Sequence, residues 1–79
     1  MKVLEEKGVR KYLESRGIIN RYRKAKKSFE NGSHQQVHLK KRQPKQLGEF
    51  QFRITDKYRA FGYFKAQNIF IVTEISDHQ

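Results

Sequence analysis

From Glu49 to His78 the side chains alternate residue by residue. Phe50, Phe52 and Ile54 stand against Gln51, Arg53 and Thr55. Tyr58, Ala60, Gly62 and Phe64 stand against Arg59, Phe61, Tyr63 and Lys65. Ile69, Ile71, Thr73 and Ile75 stand against Phe70, Val72, Glu74 and Ser76. A period of two is the mark of a strand, so three such runs joined by short polar breaks predict an antiparallel meander. Loop parity then assigns the faces, because a slip of one residue inverts a strand. A three-residue loop at Thr55-Asp56-Lys57 sets Arg53 opposite Arg59 and Phe52 opposite Ala60. A four-residue loop over Lys65 to Asn68 sets Phe64 opposite Ile69, Gly62 opposite Ile71 and Arg59 opposite Glu74. One face then carries Phe50, Phe52, Ile54, Tyr58, Phe64, Ile69, Ile71 and Ile75. The other carries Arg53, Arg59, Phe61, Tyr63, Glu74, Ser76 and His78. A two-residue turn at Asp56-Lys57 would instead bury Arg59 among phenylalanines without a partner, which is costly.

Upstream the period changes. Val9, Tyr12 and Leu13 recur at helical spacing, and Gly17 marks the end of that helix. A second stripe follows at Ile18 or Ile19, Tyr22, Ala25 and Phe29, and Asn31-Gly32 closes it. The stripe Tyr12, Tyr22 and Phe29 reads as core against the sheet. The opposite side of the second helix holds Arg21, Arg23, Lys24, Lys26 and Lys27. That row is either a solvated face or a phosphate-contacting one. Val3 and Leu4 suit an edge strand, and Val37 with Leu39 suggests another strand over Gln36 to Lys41, ended by Pro44. The expected fold is α+β: two N-terminal helices packed on one face of a three- to four-stranded antiparallel sheet, with residues 1–79 forming a single domain. A chain of 79 residues buries about two-thirds or less of its unfolded surface, so the core is thin.

Charge adds a partner. Eighteen Lys and Arg against 8 acids give a net charge of +10. A small domain this basic is drawn to polyanions, because neutralising phosphates releases condensed counterions. Nucleic acid is the first expectation and an acidic protein the second. There is no cysteine, which points to a reducing compartment. The opening MKVLEEKG lacks a signal peptide's apolar run, and nowhere do eighteen apolar residues follow one another, so a soluble, cytoplasmic protein without membrane attachment is expected.

The uncovered face mixes cations with aromatic rings, as single-stranded nucleic acid requires. Cleaving RNA through its own 2′-hydroxyl needs that hydroxyl deprotonated, charge stabilised on the transition state, and the departing 5′-oxygen protonated. Arginine and lysine meet the second need; a His or Glu meets the others. Glu74 and His78 are the acid–base candidates here besides His38. Glu74 reads equally as the cross-strand partner of Arg59, and His78 as a frayed tail residue.

The residues GEFQFRITDKYRAFGYF, then IFIVTEISDHQ, with GVRKYLESRGIINRYRKAKKSFENG before them, resemble the RelE/ParE superfamily of toxins from bacterial type II toxin–antitoxin systems. The resemblance spans nearly the whole chain. It implies a RelE-like fold and a ribosome-dependent endoribonuclease, an mRNA interferase that cuts mRNA in the ribosomal A site, inhibits translation and is neutralised by a cognate antitoxin. It implies the transition-state arginine at Arg59, a phosphate contact at Arg53, and a general acid at His78. Further basic residues fall at Lys40, Lys41 and Arg42, and His38, Lys57 and Tyr63 complete the expected substrate-binding set. No metal or cofactor is implied. The sequence departs from the family in an abbreviated N-terminal strand and in lacking, up to Gln79, the C-terminal Tyr or Phe that many members place on the substrate. Two other functions fit the residues: a ParE-like inhibitor of DNA gyrase, and a non-catalytic nucleic-acid-binding module.

Overall fold

The helical stripes fold where their spacing puts them. In a computed structural model that describes residues 1–41 and 48–77, β1 (Lys2–Glu5) leads into α1 (Val9–Ser15) and α2 (Ile19–Glu30). β2 (Lys40–Lys41), β3 (Glu49–Arg53), β4 (Arg59–Ala66) and β5 (Ile69–Ser76) follow. Both helices end alike. Gly17 and Gly32 take positive φ, and their N–H groups donate to Glu14 and Phe29 carbonyls. The next N–H, of Ile18 or Ser33, reaches back to Leu13 or Ser28. This is the Schellman closure, and glycine enters its left-handed position without the Cβ penalty.

The sheet has five strands in the order β1-β5-β4-β3-β2. β1 runs parallel to β5 and the other pairs are antiparallel, so the sheet is mixed rather than wholly antiparallel. Two additions account for the strand count. The Val3-Leu4 segment pairs along its length with Ile69 to Val72 on one edge, and a short β2 closes the other. The strand expected over Gln36 to Lys41 shrinks to Lys40–Lys41. Ahead of it the chain turns through 34–38, burying Val37 and taking His38 to φ 53°.

The register of β3 against β4 is the expected one, with Arg53 opposite Arg59 and Phe52 opposite Ala60. The register of β4 against β5 is not. Gln67 and Asn68 alone connect the two strands, and bulges at Lys65 and Thr73 each insert an unpaired residue. Phe64 therefore faces Phe70, Gly62 faces Val72, and Arg59 faces Ser76 instead of Glu74. Phe70 and Val72 join the fully buried core, while Ile69 and Ile71 move to the helix-free face. The second bulge restores parity, so Ile75 still points to the core and Glu74 away from it.

Helix residues Val9, Leu13, Tyr22, Ala25 and Phe29 pack on Phe52, Ala60, Phe70, Val72 and Ile75. Polar ties seat the helices. Glu30 accepts from the Val3 N–H at 2.8 Å, and Glu5 accepts from the Tyr22 hydroxyl at 2.5 Å and from Lys26 Nζ at 2.8 Å. Among the described residues no helix is long and apolar enough to cross a membrane.

Burial first, then the bond to the Glu5 carboxylate, raises the Tyr22 pKa far above its usual value. A phenol that holds its proton more tightly when folded contributes stability fully below about pH 10, its unfolded pKa, and loses it above. Unfolding free energy is expected to fall above pH 10 by about 1.4 kcal/mol per pH unit from this group. Urea titrations between pH 9 and pH 11 on wild type and Tyr22→Phe test this. Parallel curves for the two proteins would remove Tyr22 as the cause.

Candidate nucleic-acid interface

Two arginines face each other across β3 and β4. Arg53 alternates with Phe52 and Ile54, both on the helix-covered side, and Arg59 precedes the core residue Ala60. Both side chains therefore leave the backbone on the uncovered face, and Arg53, at the strand edge tied to the 34–38 turn, also borders the space beside α2. Like charges in directly opposed positions repel, and the turn between the strands offsets this. Arg53 forms an ion pair with Asp56. Arg59 Nη1 donates to the carbonyls of Thr55 at 2.6 Å, Asp56 at 3.2 Å and Tyr58 at 3.3 Å. The Thr55 hydroxyl in turn accepts from the N–H groups of Lys57 and Tyr58.

The remaining expected residues spread around this pair. Glu74 lies on the same face opposite Phe61, exposed, and engaged in an interaction of its own. The expected cross-strand pairing of Glu74 with Arg59 is lost because two residues, not four, connect β4 and β5, and the two bulges, one on each strand, cancel, which leaves Ser76 opposite Arg59. Tyr63 stands on the same face opposite Ile71 and is 38% exposed, whereas Phe61, 3% exposed, offers no stacking surface. Lys40, paired with Gln51, points to this face from the sheet edge. Lys41 turns the other way and lies over the Phe50 ring. Lys57 lies over the Tyr58 ring in the turn. Arg42 and His78 fall outside the described residues.

His38 is not on the sheet face. The 34–38 turn is tied to the end of β3 by the Arg53 N–H donating to the Val37 carbonyl at 2.6 Å. This seats His38 at a cleft of about 740 Å³ between α2, the turn and β3. Arg21 and Lys24 of α2 line one wall and Arg53 the other, over an apolar floor that includes Val37 and Ile54. The helix supplies its cations at positions 21 and 24, one turn apart on one surface. In sequence they are indistinguishable from the other cations of the same helix.

Among the described residues, no group of His, Asp or Glu side chains is placed to hold a metal ion. The arrangement offers two opposed arginines to an anion such as a phosphate, with the exposed Tyr63 ring four residues farther along the same face of β4. Compared with known proteins, the chain matches no family model, no curated protein and no solved structure.

Proposed function

We propose that the chain is a RelE-like mRNA interferase: a metal-independent endoribonuclease toxin that cleaves mRNA in the ribosomal A site and is held inactive by a cognate antitoxin with an acidic segment. The observation that carries this reading is the opposed Arg53–Arg59 pair on the face the helices leave uncovered. Two cations held across from each other oppose the sheet's own stability, and a dianionic, phosphorane-like transition state relieves that repulsion. Asp56 competes weakly for Arg53. Its side chain is 89% exposed, and such exposed pairs contribute about 0–1 kcal/mol, whereas a charge-assisted bond to phosphate contributes about 1.5–3 kcal/mol. In this reading a carboxylate at Glu74 takes the 2′-hydroxyl proton. The 2′-oxygen then bonds to phosphorus as the bond to the 5′-oxygen breaks, and His78 protonates that leaving oxygen.

The bonds of Arg59 to turn carbonyls favour a second reading, in which the pair organises a non-catalytic RNA-binding surface. Expressing wild type and Arg59→Ala in growing cells and mapping mRNA 5′ ends separates the two. New ends within codons that fall by about 10²–10³ in the variant support the nuclease. Matching thermal melts of the purified proteins would tie the loss to chemistry rather than folding. Cleavage unchanged in Arg59→Ala, or RNA retention without cut ends, overturns the nuclease reading. Growth arrest with intact mRNA and DNA damage would indicate gyrase instead.

A further inference from the structure

We infer that the cleft between α2, the 34–38 turn and the end of β3 is a second phosphate-binding subsite, taking the backbone of single-stranded RNA that continues past the Arg53–Arg59 pair. The inference rests on the reading that the partner is RNA, and it adds Arg21 and Lys24 as contact residues. Three observations carry it. Cations from separate elements line the cleft, Arg21 and Lys24 from the helix and Arg53, the partner of Asp56, from the sheet, together with His38 from the turn, and among the described residues no carboxylate is in the lining. The volume of about 740 Å³ lies within the range of ligand clefts, about 300–1,000 Å³. Arg53 belongs both to this wall and to the opposed pair, so the cleft adjoins the sheet face at that residue, where the exposed Asp56 is the carboxylate an RNA phosphate would displace.

Single-stranded RNA matches the chemistry of the lining. Guanidinium groups grip phosphates with paired donors, and the apolar floor at Val37 and Ile54 accepts the flat face of a base or ribose. Arg21 and Lys24 are exposed on α2, so replacing them leaves the core untouched. Of the cations in that helix, Lys26 is occupied by Glu5; the pair at 21 and 24 faces the cleft.

The probe is a short fluorescent RNA with 2′-O-methyl riboses, which binds without being cut, titrated at several salt concentrations against the full chain. Arg21→Gln/Lys24→Gln is expected to weaken binding about tenfold. The slope of log K against log salt should flatten by about 1.4, the share of two single-strand phosphate contacts. Lys7→Gln/Lys11→Gln removes equal charge from exposed positions outside the cleft and should keep the wild-type slope. Equal losses in the two double variants would reduce the effect to net charge and overturn the subsite. So would wild-type binding by the cleft variant. A poly-glutamate peptide that binds through Arg21 and Lys24 and displaces the RNA would make the occupant an acidic protein instead. Because the probe cannot be cleaved, the outcome does not depend on whether the chain is a nuclease. Absent mRNA cleavage with a cleft-dependent salt slope would sink only the nuclease reading.

Discussion

Gly62→Ala is expected to lower the stability of this protein by about 3 kcal/mol or more. Gly62 sits on the helix side of β4, paired with Val72 beside the Thr73 bulge. A Cβ placed there would overlap the Ile71 carbonyl oxygen and meet Phe70 Cε2 at 2.8 Å and the Ile71 carbonyl carbon at 2.9 Å. Backbone cannot step aside as a flexible side chain can, so β4 and β5 would have to separate beside the fully buried Phe70 and Val72. Domains of this size are stabilised by only about 4–12 kcal/mol in total. The corresponding fall in melting temperature is about 12 °C or more. Urea unfolding followed by circular dichroism measures it. A variant melting within a few degrees of wild type would show that the two strands are not so closely apposed.

Phe29→Ala should cost about 3–5 kcal/mol, the range for deleting a fully buried aromatic ring. Phe29 is the aromatic hub of the molecule. Its ring lies 5.1 Å from Phe52, 5.1 Å from Phe70 and 6.4 Å from Phe64, with His34 at 5.0 Å, and the residue is inaccessible to solvent. Truncation leaves a cavity bordered by three strands and the turn that leads to the basic cleft, so none of its walls can collapse alone. Phe29→Leu should recover part of the loss, and Tyr63→Ala, on the exposed face, should cost about 0.5 kcal/mol or less. Denaturation midpoints for the three variants give the ranking. If Tyr63→Ala proved as damaging as Phe29→Ala, the helix-free face would be a second core and not an open surface.

Much of the fold was legible in the residues because local chemistry decides it. Glycine after each helical stripe sets the closures at Gly17 and Gly32. The cost of burying an unpaired Arg59 excludes the even turn, and the structure has the odd one, which is what brings Arg53 and Arg59 together. On β5 the pattern failed for a definite reason. Ile69, Phe70, Ile71 and Val72 are all apolar, so alternation does not distinguish the two faces, and the bulges that fix parity arise from pairing with β4. The wrong parity put Ile69 and Ile71 in the core, and a loop counted as four residues instead of two set Glu74, on its correct face, opposite Arg59.

What the sequence determined by itself is the basic charge, the two helices with their ends, and the opposed arginines, because each depends on residues within a few positions of one another. Tertiary structure alone decided the parallel pairing of β1 with β5, the exchange of faces on β5, and the cleft that gathers Arg21, Lys24, His38 and Arg53. Those features join segments far apart along the chain. Long-range contacts of this kind are selected by how whole faces pack, and no short window of residues records that choice.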